Sequence, residues 1–246
     1  GGEVLLMRVT FLAHSGFFLE LETASLLFDW WKGELPPLPA DRPLLVFASH
    51  RHEDHFNPAI FSLAEGGRDV RFLLGKDIRL TERNRARWNL SDDVAARCLA
   101  LGGGETVSPI PGVTVETLPS TDEGVAFVVT AEGRTIYHAG DLHWWHWEGE
   151  DKAWNNNMAA NYKREIKELD GCGMDVAFVP LDGRLENAYY WGMKYFLEHV
   201  PVKAVFPMHC WDHYEICQKV RDEPSMQGLL EHFHPIEYKG QEWTLC

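Results

Sequence analysis

An apolar run, Leu44-Leu45-Val46-Phe47-Ala48, stops abruptly at Ser49-His50-Arg51-His52-Glu53-Asp54-His55. Five uninterrupted apolar residues read as a strand buried on both faces. Such a strand needs sheet neighbours and covering layers, which places the chain among sheet-centred folds with outer helices. The loop after the strand carries the chemistry. Histidine is only 12 of 246 residues, yet three fall within six positions here. In extended backbone His50 and His52 point the same way and can share one metal ion. Asp54 and His55 turn the corner, where they can serve a second metal or orient a water. Imidazole with carboxylate suits zinc, and also iron or manganese. The competing reading is a polar loop that happens to hold several histidines.

The rest of the chain fits one domain, residues 1–246, of mixed α/β type. Leu6 to Phe11, Gly16 to Leu21 and Ser25 to Asp29 read as short strands separated by turn residues. Leu35 to Pro43 is a proline-rich loop. Asn57-Pro58 opens a helix through Ala64, with Asn at the N-cap and Pro at the first helical position. Asp69 to Leu74 reads as a strand and Thr81 to Trp88 as a helix. A second strand-rich block follows: Val113 to Leu118, Val125 to Thr130 and Thr135 to Tyr137. The spacing then predicts a helix over Asp151 to Leu169, a strand over Met174 to Val179, a helix over Asn187 to His199, a strand over Lys203 to Phe206 and a helix over His213 to Val220.

Two further strand ends carry metal-ligand types. Thr135-Ile136-Tyr137-His138-Ala139-Gly140-Asp141 runs from a strand through a Gly turn to a carboxylate, whose two oxygens can bridge two cations. Ala204-Val205-Phe206-Pro207-Met208-His209 ends likewise on a histidine. Each alone reads as ordinary turn or structural chemistry. Three such strand ends in one chain make a site.

The formal charge is −14, from 23 basic and 37 acidic residues, and the Arg79 to Arg87 stretch reads as a solvated helix face. A phosphate-backbone binder shows a basic face, so nucleic acid is not expected. The five cysteines, Cys98, Cys172, Cys210, Cys217 and Cys246, are odd in number and form no CxxC pair, against a disulfide framework or a zinc ribbon. Val4 to Leu6 leads into a strand rather than a signal sequence. No segment approaches the roughly 18 apolar residues of a membrane span. No membrane contact and a cytoplasmic location are the expectations.

The order HxHxDH, strand-Gly-Asp, strand-Pro-Met-His resembles the metallo-β-lactamase superfamily. The opening Thr10-Phe11-Leu12-Ala13-His14-Ser15-Gly16-Phe17-Phe18, with Leu27-Phe28-Asp29, is similar to the branch that contains ascorbate-phosphate lactonase. The resemblance runs from Arg8 to His209 and implies an αββα four-layer sandwich with metals at one edge of its sheets. It implies that His50 and His52 hold a first metal, that Asp54, His55 and His209 hold a second, and that Asp141 bridges. It also places His14 near the site, as a substrate contact or a structural residue, and Asp29 as support. One departure stands out. The family's further His, on the loop before the bridging Asp, is missing from Leu118-Pro119-Ser120-Thr121-Asp122-Glu123-Gly124. Asp122 is the first candidate to replace it; His138, His143 and His146 are others. A weak or empty first position, with the loop only a turn, is the remaining reading.

Leu142-His143-Trp144-Trp145-His146-Trp147 follows Asp141 directly. Trp144, His143 and His146 suit a pocket wall for a ring-bearing or sugar-like substrate, and equally suit packing of an insertion. Asp182 and Arg184 follow the apolar strand ending at Pro180, either as a turn salt bridge or with Arg184 as an anion clamp. The expected function is hydrolysis of a small ester, lactone or phosphoester by a water activated on one or two divalent ions. Zinc is favoured, manganese or iron compatible, and Asp54 is the catalytic carboxylate. The expected partner is a small-molecule substrate; a homo-oligomer is compatible. The rival readings are a phosphodiesterase and a catalytically weakened metal- or ligand-binding protein of the same fold.

Overall fold

The computed structural model describes residues 5–246, so Val4 of the Val4 to Leu6 run lies outside the described residues. The chain forms two compact units.

The first unit runs to Gly102 and takes back Tyr238–Cys246. Its strands are β1 (Met7–Ala13), β2 (Gly16–Glu20), β3 (Ser25–Phe28), β4 (Leu44–Ala48), β5 (Val70–Gly75), β6 (Cys98–Leu101) and, from the far end of the chain, β13 (Glu242–Leu245). They form one sheet in the order β13-β1-β2-β3-β4-β5-β6. β13, β1, β2 and β3 pair antiparallel, and β3 through β6 pair parallel. β4 lies inside the parallel part, and all five of its residues are buried, as its composition requires. Leu12, Phe18, Leu27, Val46 and Phe72 build a core on one face with Phe56, Ile60 and Phe61 from the segment after the histidine-rich loop. That segment, Pro58–Gly67, is a 3-10 helix rather than an α-helix: Asn57 caps it by accepting from Ala59 N at 2.9 Å, and Glu65 and Gly66 leave helical geometry. Short helices α1 (Glu82–Arg87) and α2 (Asp92–Ala95) follow β5, each capped by the hydroxyl of the residue before it.

The second unit is Gly103–Glu237. Its strands β7 (Thr106–Ile110), β8 (Val113–Pro119), β9 (Val125–Ala131), β10 (Arg134–His138), β11 (Val176–Pro180) and β12 (Val205–Met208) form a sheet in the order β12-β11-β10-β9-β8-β7. β7 to β10 pair antiparallel, and β10, β11 and β12 pair parallel. Its helices are α3 (Lys152–Lys167), α4 (Trp191–His199) and α5 (Ile216–Arg221). α3 buries Asn155, Met158, Tyr162 and Ile166, one stripe at helical spacing, and Asp151 caps it by accepting from Trp154 N at 2.7 Å. The helix expected from Asn187 starts only at Trp191. Before it, Gly183–Ala188 is a 3-10 turn interrupted by Glu186 at φ 54°, a conformation that no continuous helix accommodates.

His50 to His55, Asp141 and His209 follow the C-terminal ends of strands in the parallel parts of their sheets, where open α/β sheets present their ligand-binding loops, while His14 and Asp122 follow the antiparallel strands β1 and β8. Among the described residues no helix is long and apolar enough to cross a membrane. All five cysteines are free thiols.

Candidate metal centre

In the first unit the loop after β4 is organised by one buried carboxylate. Asp29, just past β3, is fully buried at φ 45°. Its Oδ1 accepts from Ser49 N at 2.7 Å; its Oδ2 accepts from Ser49 Oγ and from His55 Nδ1, both at 2.7 Å. Ser49 Oγ, its own proton given to Asp29, accepts from His50 Nδ1 at 2.8 Å. Both histidines therefore carry their proton on Nδ1 and turn Nε2 outward with a lone pair, the tautomer a metal requires. Gly75, at the end of β5, lets this loop seat, because a Cβ there would overlap the carbonyl oxygen of Ser49. The ring centroids of His50 and His52 are 4.7 Å apart, and those of His50 and His55 4.2 Å. His14 forms the turn between β1 and β2 at φ 57° and is buried. Its Nε2 lies 3.0 Å from Asp54 Oδ2, which is 3.2 Å from His55 Nε2. His14, Asp54 and His55 thus each offer a donor atom within 4.8 Å of one another, as do His50 and His52.

The second unit repeats the device. Asp182, one residue beyond the Leu181 that follows β11, is fully buried, and its Oδ2 accepts from His209 Nδ1 at 2.8 Å. His209 Nε2 then faces Asp141 Oδ1 at 3.2 Å. Arg184 donates to Asp182 from its backbone N at 2.9 Å, Nε at 3.0 Å and Nη2 at 2.7 Å; Trp211 Nε1 adds a contact at 3.2 Å. Burial alone would raise the Asp182 carboxyl, but the bonds from His209 and Arg184 outweigh it and hold it well below the usual carboxylate range. Asp122 is exposed, with a donor oxygen within 4.8 Å of one on Asp141. Thr121 keeps it there: its Oγ1 donates to the carbonyl of His143 at 2.6 Å and accepts from His143 N at 3.0 Å, strapping the loop to the segment after Asp141.

Of the other candidates, His138 accepts from Gly140 N at 3.1 Å through Nδ1, within its own turn. The His146 ring lies 4.6 Å from that of Trp191, and Trp144 lies 5.4 Å from Trp191. His143 is enclosed. Its ring packs edge-on to Trp145 at 4.9 Å and against Gly192 of α4, where a Cβ would overlap His143 Cε1. Neither ring nitrogen has a hydrogen-bond partner, and burial lowers its pKa from 6.5 to about 3. Because the folded value lies below the unfolded one, the unfolded chain binds the extra proton. The stability is whole above pH 6.5 and is lost as pH falls from there toward 3. His143→Leu is therefore expected to be neutral or stabilising by about 1 kcal/mol at neutral pH. It should also flatten the acid side of the Tm–pH profile. Melting curves from pH 7.5 down to pH 4.5 check it; a variant that melts lower with an unchanged slope would contradict it.

Sequence reasoning singled out Asp29 but not the matching role of Asp182. The signal was there, an Asp just beyond an apolar strand in each half, but the pairing with histidine needs the coordinates. Backbone strain marks the same loops. Among the described non-glycine residues, eight have positive φ, and five of them are His14, Asp29, His209, Trp211 and Asp212. Such conformations cost about 1–3 kcal/mol each and persist where function holds them.

The beta-lactamase superfamily domain family matches residues 8–209. A UPF0173 metal-dependent hydrolase of Opitutus terrae is 32% identical over 160 residues, which cover 55% of this chain and 63% of that protein. The chain thus spans under two thirds of that relative's length. Among solved structures, the metallo hydrolase Igni18 from Ignicoccus hospitalis superposes with TM-score 0.62 at 18% identity, over 98% of each chain. CmlA, a diiron β-hydroxylase from Streptomyces venezuelae, superposes with TM-score 0.59 at 14% identity, over 100% of this chain and 54% of its own. Two sheets with their helices and candidate ligands at strand ends agree with these likenesses, and the chain belongs to the metallo-β-lactamase superfamily, with the fold of that superfamily.

Proposed function

We propose that this protein is a metal-dependent hydrolase of small esters, lactones or phosphoesters. The observation that carries the reading is the matched presentation of two histidines. His55 by Asp29 and His209 by Asp182 are each fixed through Nδ1 by a fully buried carboxylate. A structural histidine does not need that arrangement; a ligand histidine does. The donor set fits a divalent cation: imidazole nitrogens with carboxylate oxygens and no thiolate suit zinc, manganese or iron.

In this reading the protein would hold two divalent cations. By the family resemblance His50 and His52 would serve the first, with Asp122 in place of the family's further histidine, Asp54, His55 and His209 would serve the second, and Asp141 both; His14 lies beside Asp54. Ions held there supply Lewis-acid polarisation of a carbonyl or phosphoryl oxygen and activate water as a nucleophile near neutral pH. The chain's own residues do the rest. Asp54 orients the attacking water and accepts its proton. His14 Nε2, 3.0 Å from Asp54 Oδ2, steadies that carboxylate. Asp29 and Asp182 keep the histidine tautomers fixed through the cycle. Asp122 stands where an imidazole is usual, and an extra carboxylate shifts the preference toward the harder ions. Manganese or iron therefore belongs beside zinc in any reconstitution.

Metal-free protein should show no turnover and gain it when zinc, manganese or iron is restored. A panel of lactones, thioesters and phosphodiesters, with and without chelator, reads this out. Full metal binding with no turnover anywhere in the panel would favour a binding protein of the same fold.

A further inference from the structure

We propose that the cleft at the N-terminal ends of β5 and β6 is a phosphate-binding site, in which Arg68, Arg71 and Arg97 hold a phosphate dianion, free or as the end group of a small molecule. The site lies away from the histidine-rich loop. β5 leaves the cleft between Asp69 and Arg71 and ends at Gly75, under the carbonyl of Ser49, so the strand holds the two roughly 17 Å apart.

The cleft measures about 480 Å³ and is lined by Gly67, Arg68, Asp69, Arg71, Ala96 and Arg97. Among these, three guanidinium groups stand against one carboxylate. The chain reaches the cleft through a left-handed turn: Gly66 and Gly67 lie at φ 75° and 78°, with open space where a Cβ would stand. Each arginine is tethered to a backbone carbonyl by its Nη1. Arg68 donates to Leu38 O at 3.5 Å and Pro39 O at 3.3 Å, Arg71 to Val70 O at 3.1 Å, and Arg97 to Arg68 O at 2.9 Å. Arg71 Nη1 also donates to Asp69 Oδ1 at 2.7 Å, and Arg97 Nη2 to Asp93 Oδ2 at 3.1 Å. The Nε of all three, and the Nη2 of Arg68 and Arg71, make no hydrogen bond among the described residues. The tethers thus hold the three side chains before any ligand arrives and leave these donors for it, which is what preorganised recognition requires.

Stability does not account for this grouping. Asp69 and Asp93, the carboxylates paired with Arg71 and Arg97, are 51% and 76% exposed, and ion pairs reaching solvent are weakly stabilising at best. Gathering three like charges in one cleft works against folding. A tether to a carbonyl needs a single N–H, which a lysine would supply. A guanidinium adds a planar fork of further donors, the shape that pairs with phosphate oxygens. The chain carries −14 and repels anions at long range, so an anion that binds it needs a local cluster of cations. The cleft is also larger than a phosphate group needs. Its volume lies within the range of small-molecule sites, roughly 300–1,000 Å³, and leaves space for a body attached to the phosphate.

The test is isothermal titration of the full metal-loaded chain at about pH 8, where the phosphate is a dianion. The probes are inorganic phosphate, phenylphosphonate, whose C–P bond resists hydrolysis, and neutral benzamide. The native protein is expected to bind both anions at least about tenfold tighter than benzamide, the effect of charge-assisted hydrogen bonds. Tighter inorganic phosphate would mark the free ion as the ligand, and tighter phenylphosphonate a phosphorylated small molecule; either order supports the site. Arg71→Gln and Arg97→Gln should each weaken both anions by about fivefold or more. Asp69→Asn removes the competing charge and should tighten both. Should Arg97→Gln fail to fold, since Arg97 supports Arg68 O, the test rests on Arg71→Gln, whose side chain is partly exposed. Equal native affinities for the anions and benzamide would overturn the proposal. So would an anion preference unchanged in Arg71→Gln, because the phosphate would then be binding the metal. Titration needs no turnover, so the result is independent of the hydrolase reading.

Discussion

Asp29→Asn is expected to leave the protein folded and to strip the metal held through His55. The amide oxygen can still accept from Ser49 N, which places the NH2 where Oδ2 now accepts from Ser49 Oγ and His55 Nδ1. An NH2 cannot accept a proton. His55 must then use Nδ1 as an acceptor and carry its proton on Nε2, the tautomer that cannot ligate. A bound metal should be lost by more than the 10–100-fold typical of disturbed supporting bonds (about that range in general). Asp29→Ala should do more, since it strands the Ser49 backbone N–H, the Ser49 hydroxyl and His55 Nδ1 in a buried place. That costs about 3–5 kcal/mol, and for a chain of this size a fall in Tm of roughly 10 °C. Circular dichroism melting and elemental analysis separate the two effects. Full metal occupancy in Asp29→Asn would show that His55 is not a ligand.

The second large effect concerns Asp122. In the proposed function one cation position would take imidazole from His55 and His209 with Asp54, and the other His50 and His52 with Asp122 in place of an imidazole. An oxygen donor is less favoured by zinc than imidazole, so zinc loading should be stepwise, one ion tight and one looser. Asp122→Ala is expected to weaken the looser ion by at least about tenfold and spare the tight one; Asp122→His should strengthen it. Calorimetric titration of metal-free protein decides. Two equally tight ions, unmoved by Asp122→Ala, would mean that another residue completes the first position. His146 would then be the next to test, since His143 is enclosed among Trp145, Tyr162 and Gly192.

The central strands were legible because they are buried on both faces: β4 and β11 are apolar throughout, and no other element explains such runs. The edges were not. β6 and β13 are four residues each, and of the eight only Leu101 is buried, so neither carries a burial pattern to read. β7 contains Pro109, which argues against a central strand; it is tolerated because β7 is an edge with its register shifted between Val107 and Ile110. The 3-10 turn before α4 escaped for a different reason. Asn187 to His199 looks like one helix, but Asn187 and Ala188 belong to the 3-10 turn that Glu186 interrupts, and the α-helix begins at Trp191. At the candidate site, the ligand types were legible from strand ends. The hydrogen bonds that select their tautomers were not, because Asp29 and His55 are 26 residues apart and Asp182 and His209 are 27 apart.

If the protein works as proposed, His55, on the loop after β4, and His209, on the loop after β12, would be ligands of one ion, as the family resemblance implies. Elemental analysis of metal-reconstituted native protein, His55→Ala, His209→Ala and the double variant tests it most directly. The account predicts that each single variant loses the same one ion per chain and that the double variant loses no more than either, the non-additivity of two ligands on one centre. If His209→Ala keeps the native metal content, or the double variant loses twice what each single one does, the two histidines do not share a metal and the account is wrong.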